Sequence, residues 1–244
     1  MFTGLIEDIG TLVRAIPQGG GARLVIRTGL PLSEVRLGDS IAVCGACLTV
    51  VRKDEGLFEA EISRETIARS TLGDLRTGAP LHLERAMRLS DRLDGHLVLG
   101  HVDGKGTVRS REEQGGALSL EISAPESVLR YVVAKGSIGV HGVSLTVNAL
   151  LSDGFRLTLV PFTRQKTFLD KLKVGEHVNL EADQIGKYVE RLLGLRAGHA
   201  AGDLTSGDGT GHGSGHGSGH GAGQSAASGG LTLQQLARHG YLEP

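Results

Sequence analysis

Residues 40–50 read Ser40-Ile-Ala-Val-Cys-Gly-Ala-Cys-Leu-Thr-Val50, and residues 137–147 read Ser137-Ile-Gly-Val-His-Gly-Val-Ser-Leu-Thr-Val147. Laid over each other at an offset of 97, seven of the eleven positions are identical: Ser40, Ile41, Val43, Gly45, Leu48, Thr49 and Val50. The register continues outward. Thr66 falls on Thr163, Leu72 on Leu169, Leu75 on Leu172, Gly78 on Gly175 and Glu84 on Glu181. Upstream, Gly4 meets Gly100 and Gly10-Thr11 meets Gly106-Thr107, at an offset of 96. Self-similarity at one long period marks duplication of a structural unit, so the ordered chain is two copies of one domain.

Each copy reads as β-structure. In the first, GTLVRAI, ARLVIRT, SIAVCG, CLTVVR, LFEAEIS and PLHLER are short, β-branched or alternating, and separated by Gly-, Asp- or Pro-bearing turns. LSEVRLGD and STLGDLRTG read as single helical turns leading to glycine. Six short strands in about ninety residues fit a barrel, because closure removes the sheet edges so small a domain would otherwise expose. The expected fold is all-β, two tandem six-stranded Greek-key barrels over residues 1–94 and 95–183. After Asp183 the period changes, and Ile185, Val189, Leu192 and Leu193 line one face of a helix over residues 184–196. Docking on its own barrels and bundling between copies of the chain are both open to that helix. Residues 197–230 are Gly, Ser, His and Ala around GHGSGHGSGHG and are expected to be disordered, with His212, His216 and His220 spaced along a linker. Residues 231–244 contain LTLQQLARHGY, a candidate short amphipathic helix.

Composition excludes several functions. A formal net charge of −1 with both signs dispersed offers no face for nucleic acid or anionic lipid. No apolar run is long enough to span a bilayer, and MFTGLIEDIG lacks the features of a secretion signal, so a cytoplasmic chain is expected. Cys44 and Cys47 are three apart, but zinc needs four ligands and no second pair exists. With no Trp, three Tyr and five Phe, an aromatic ligand must be held by backbone and aliphatic groups.

MFTGLIE at the start, CLTV and SLTVN at matching places, and GHLVLGHVDG at the junction together resemble riboflavin synthase, from Met1 to about Leu195. The resemblance implies dismutation of two molecules of 6,7-dimethyl-8-ribityllumazine, one giving a four-carbon unit to the other, to yield riboflavin and 5-amino-6-ribitylaminouracil. It implies no metal and no organic cofactor, a homotrimer, and association with lumazine synthase. A non-catalytic lumazine or flavin carrier of the same fold is the alternative. A barrel from a flavin oxidoreductase is disfavoured, since no nicotinamide-binding βαβ unit follows.

Joining two copies of one heterocycle calls for two similar pockets, which duplication supplies. An uncharged pteridine with a ribityl chain calls for backbone amides and hydroxyls. By resemblance Cys47 is a nucleophile or proton carrier, with Leu48 and Thr49 beside it, and Ser144, Leu145 and Thr146 hold the matching place in the second copy. His101 is the expected acid or base. His96 is as readily structural as functional, and a strand through GHLVLGH puts the two histidines on opposite faces. The segments Gly4-Leu5-Ile6 and Gly100-His101-Val102 each reach the ligand of the opposite barrel. Glu61, Ile62, Ser63, Arg64, Glu65 and Thr66 close over one ring system, and Leu159, Val160, Pro161, Phe162, Thr163 and Arg164 over the other. Lys135 and Asp183 line the second site, while Phe2 and Ser40 match pocket residues. His141 stands where the family pattern has Asp, so it is expected to act as the proton acceptor next to Ser144.

Overall fold

A computed structural model of the chain describes residues 1–194. The first barrel consists of β1 (Asp8–Gln18), β2 (Gly21–Arg27), β3 (Ser40–Val43), β4 (Ala46–Asp54), β5 (Leu57–Ile62) and β6 (Pro80–Arg85), closed in the order β1-β2-β5-β4-β3-β6. The second consists of β7 (Gly104–Gln114), β8 (Ala117–Ser123), β9 (Ser137–Val140), β10 (Val143–Leu150), β11 (Gly154–Leu159) and β12 (His177–Ala182), closed in the same order. All pairs are antiparallel, and the expected duplicated barrel fold is observed. Even the irregularities repeat. The register shifts between Leu12 and Arg14 on β1 and between Val108 and Ser110 on β7, equivalent places where a bulge bends the strand around its barrel.

Strand alternation decides what points inward. Along β4, Leu48 and Val50 are buried while Cys47 is half-buried and Thr49 exposed; along β10, Leu145 and Val147 are buried while Ser144 is half-buried and Thr146 exposed. Phe58 and Phe155, equivalent residues on β5 and β11, are fully buried. A barrel this small is filled by its own side chains. The barrel interiors are thus filled, and Cys47, Thr49, Ser144 and Thr146 stand on the outward faces.

Helices occupy the connections: α1 (Arg64–Arg69), α2 (Glu126–Leu129), α3 (Pro161–Lys166) and α4 (Gln184–Leu193), with 3₁₀ turns at Leu32–Glu34, Thr71–Asp74 and Leu169–Lys171. The six-residue α1 and α3 are too short to show helical periodicity, which is why the sequence did not betray them. The expected strand through GHLVLGH is not formed. Only Val98 makes a β-bridge, to Phe2. On α4, Ile185, Tyr188, Val189, Leu192 and Leu193 are exposed. No helix among the described residues is long and apolar enough to cross a membrane. The Gly/Ser/His stretch and LTLQQLARHGY lie outside the described residues.

The barrels meet along a pseudo-symmetric seam. The β3–β4 and β9–β10 hairpins turn through Cys44-Gly45 and His141-Gly142, with φ of 47° and 82° in one and 49° and 81° in the other, the signature of a type I′ turn. The two turns touch. A Cβ on Gly45 would sit 2.7 Å from Gly142 N, and a Cβ on Gly142 2.7 Å from Gly45 N. Beside them, Asn179 donates through Nδ2 to Cys44 O (2.8 Å) and accepts from Thr71 N (2.7 Å). Its repeat equivalent is His82. That ring accepts from Phe168 N at Nε2 (2.9 Å), so Nδ1 carries the hydrogen and donates to His141 O (3.0 Å). An imidazole and a carboxamide thus make the same two cross-barrel bonds.

Candidate functional site

The two N-terminal segments exchange partners. Phe2 and Val98 pair through Phe2 N to Val98 O (2.7 Å) and Val98 N to Phe2 O (3.1 Å). Beyond that crossing each segment runs to the other barrel. Gly4 O accepts from Ser144 N, and Gly100 O accepts from Cys47 N, both at 2.8 Å. Only glycine fits there: φ is +78° at Gly4 and +81° at Gly100, and a Cβ would lie 2.6 Å from Ser144 Cβ and 2.5 Å from Cys47 Cβ.

Two buried glutamates hold these segments in place. Glu84 accepts from Thr3 N (2.6 Å), Thr3 Oγ1 (2.7 Å) and Gly4 N (3.0 Å). Glu181 accepts from Leu99 N (2.7 Å) and Gly100 N (3.0 Å). Burial pushes the Glu84 carboxyl above the ordinary carboxylate range, opposed by the donors from Thr3 and Gly4. The repeat register already sets Glu84 against Glu181, but nothing in one dimension shows that they anchor the crossing segments.

Beside Cys47 lies a cleft of about 240 Å³ lined by Glu65, Thr66, Arg69, Gly100, His101 and Val102, among others. It gathers expected residues from both repeats: Cys47 on β4, Glu65 and Thr66 on α1, and the crossing segment. Ser63 caps α1 by accepting from Thr66 N (3.1 Å). Phe2 is fully buried with Ala42 and Val98, with Cys47 packed against that cluster, so it supports the thiol from behind. Arg69 and Ser70 were not expected. Ser40 lines a separate cavity of about 490 Å³ with Thr3, Leu5 and Glu84.

At the second barrel, Ser144 Oγ is 2.7 Å from His96 Nδ1, and the negative charge of Asp183 acts on that ring. Asp183 also accepts from Ile185 N through Oδ1 (2.9 Å) at the start of α4. Thr146 is exposed on the same outward face as Ser144, and Lys135 is exposed in a left-handed turn (φ 66°) with its N donating to Val147 O (2.8 Å). Pro161 and Arg164 line a third cavity of about 480 Å³, and Val160 and Phe162 are exposed. Leu48, Ile62, Leu145 and Leu159 are buried, so their side chains fill barrels and only their backbones are available. Leu5 is exposed, Ile6 packs against the core, and Glu61 pairs with Arg23 (2.9 Å).

His141 corrects the sequence reading. It is not the partner of Ser144, because it sits in the buried I′ turn with Nδ1 accepting from Asn179 N (3.3 Å). Burial holds its pKa down to about 4. The histidine on Ser144 is His96, which comes from the linker and has no equivalent in the repeat pattern that guided the sequence reading.

A model of the lumazine binding domain matches the chain twice, at residues 3–86 and 99–183. Riboflavin synthase of Mycobacterium bovis is 46% identical over 197 residues, covering 79% of this chain and 98% of its own. Riboflavin synthase of Bacillus subtilis is 40% identical over 193 residues, covering 79% and 90%. The chain belongs to the riboflavin synthase family. Among solved structures, LumP complexed with riboflavin superposes with a TM-score of 0.68 at 25% identity, over 75% of this chain and 99% of that one. LumP complexed with 6,7-dimethyl-8-(1'-D-ribityl)lumazine gives 0.67 at 24% identity and shares the fold. Family membership makes the chain an enzyme of riboflavin formation, and the crossed segments mark two equivalent places on its surface.

Proposed function

We propose that the chain is a transferase acting on two molecules of 6,7-dimethyl-8-ribityllumazine, one on the Cys47 face and one on the Ser144 face. A four-carbon unit passes between them, leaving riboflavin and 5-amino-6-ribitylaminouracil; the atoms balance with no oxidant. The observation that carries this reading is the crossing of the N-terminal segments, which gives two faces of matching backbone and different chemistry, a thiol in one and a hydroxyl in the other. Bond exchange between identical molecules needs one to act as nucleophile and the other as electrophile, and unlike side chains in like pockets favour that division. Cys47 with His101 handles proton or nucleophile chemistry in the first site, and Ser144 in the second. Thr49, Thr146, Lys135 and the residues of α1 and α3 hold rings and ribityl chains. Proximity of two bound heterocycles is worth up to about 7–11 kcal/mol.

The two ligands then meet across an oligomer, a homotrimer by family likeness. The exposed face of α4 is suited to such assembly. Lumazine synthase is the expected partner by family likeness. The test mixes two variants. Cys47→Ala disables one face, and Ser144→Ala with Thr146→Val disables the other. Each alone should be nearly inactive, and subunit exchange should restore riboflavin formation. No recovery despite demonstrated exchange overturns the inter-chain site. Lumazine bound by the unmodified chain without turnover overturns the catalytic reading in favour of a carrier.

A further inference from the structure

The short helices α1 and α3 are each tied down by the opposite barrel. α1 brings Glu65 and Thr66 to the Cys47 cleft, and α3 is its repeat equivalent in the second barrel. Neither helix has a buried residue of its own, and six residues cannot hold themselves helical in water, so outside ties decide where they sit. Just past the end of α1, Thr71 N donates to Asn179 Oδ1 on β12 (2.7 Å). Just past the end of α3, Phe168 N donates to His82 Nε2 on β6 (2.9 Å). Both acceptors are buried.

The two ties differ in kind. α1 is also fixed at its start, where Ser63 accepts from Thr66 N (3.1 Å), whereas α3 starts at Val160 with no side-chain cap. At the other end the balance is reversed. Phe168 stacks on the His82 ring, with centroids 3.8 Å apart and planes 22° from parallel. Thr71, the repeat equivalent of Phe168, has no ring to stack, and its Oγ1 is buried without a hydrogen-bond partner. The helix with an uncapped start is thus the one whose end is gripped by both a hydrogen bond and an aromatic stack.

Building on the function proposed above, we propose that His82 of the first barrel is a positioning residue for the second barrel's ligand. It fixes α3 through Phe168, as Asn179 of the second barrel fixes α1 through Thr71 for the first barrel's ligand. Each ligand face is flanked by a helix of its own barrel whose place the other barrel sets. The grip needs a neutral imidazole with hydrogen on Nδ1, because Nδ1 donates to His141 O (3.0 Å) and Nε2 keeps its lone pair for Phe168 N. Asparagine offers the same pairing of one donor and one acceptor, so it can replace the imidazole. An apolar side chain of similar size cannot.

The test uses the full chain, first without ligand. Amide hydrogen exchange at Arg164 and Thr167 reports on α3, and at Ile67 and Ser70 on α1, since these N–H groups close the helical turns. His82→Leu should speed exchange in α3 about 10-fold and leave α1 unchanged, and Asn179→Leu should do the reverse. His82→Asn should keep α3 within about twofold of the unmodified chain. Equal acceleration of both helices, or of neither, would overturn the proposal, because His82 would then be part of the seam and nothing more. With lumazine added, His82→Leu should raise KM about 10-fold with kcat changed far less, and His82→Asn should restore it. An unchanged KM in His82→Leu would also overturn the positioning role. If the leucine variants fail to fold, ¹⁵N spectra of the unmodified, histidine-labelled chain decide: His82 should carry its hydrogen on Nδ1, and protonation at Nε2 would sink the proposal. An unmodified chain that consumes no lumazine defeats the functional reading instead, and the exchange measurements keep the two failures apart.

Discussion

The two barrels share a strand order, bulges, a closing glutamate and an I′ turn, yet at three equivalent places they use different chemistry. Cys47 stands on the outward face of β4 where Ser144 stands on that of β10. His82 ties the first barrel to the second, and Asn179 returns the tie. Ser63 caps α1, while α3 starts at Val160 with no side-chain cap. Backbone geometry is kept strictly because both copies must meet across one axis, where Gly45 and Gly142 leave no room for a side chain. Side chains diverge wherever another group can make the same hydrogen bonds or where the two sites have different work.

The crossing of the segments makes a prediction in which damage to one barrel appears in the other's site. Glu181 anchors Gly100, whose carbonyl holds Cys47 N, so Glu181→Gln should raise the alkylation rate of Cys47. Glu84→Gln should leave that rate unchanged and disturb the Ser144 site. Each change places an amide NH₂ against buried N–H donors and should cost about 2–3 kcal/mol in unfolding free energy. Cys44 will not confuse the reading, because it is buried and burial pushes its thiol up to about 12. A raised rate in Glu84→Gln with none in Glu181→Gln would mean that each glutamate serves only its own barrel.

A smaller effect separates imidazole from carboxamide at the seam. Burial, then the nearby His141 ring, lowers the His82 pKa to about 3, against a bond to the His141 backbone. Above the unfolded value near 6.5 both states are neutral and stability is complete. As pH falls from about 6.5 towards 3 the unfolded chain takes up a proton that the folded chain refuses, so stability declines across that window. His82→Asn, copying Asn179, should flatten part of that decline in denaturant titrations at pH 4 and 7. His141 will still supply the remainder. An unchanged slope would show that the ring at His82 is protonated in the folded chain.

The smallest difference lies at the helix starts. Val160→Ser should give α3 the cap that α1 already has, adding about 0.5–1 kcal/mol, and Ser63→Ala should remove about 1 kcal/mol from α1. Thermal unfolding should shift by about 2–4 °C per kcal/mol for a domain of this size. Shifts of equal sign in the two variants would mean that the cap geometry at Val160 is not that of Ser63.

What the sequence determined by itself was the duplication, the strands and the family. Repeats and alternation are local or periodic, and they survive in one dimension because every strand must present the same face to its barrel. The equivalent places of Cys47 and Ser144 and the paired glycine segments were legible for the same reason, since each lies in a motif with a partner in the other copy. His96 was ambiguous and His141 misassigned, because hydrogen-bond partnership depends on where the chain crosses itself. His141 is three residues from Ser144 in sequence, but the turn it occupies points it to Asn179; His96, forty-eight residues away, lies on the Ser144 hydroxyl. The tie between His82 and Phe168, eighty-six residues apart, left no signal either. Only the packing of one barrel on the other decided these pairs, because buried donors and acceptors must find partners in space whatever their separation along the chain.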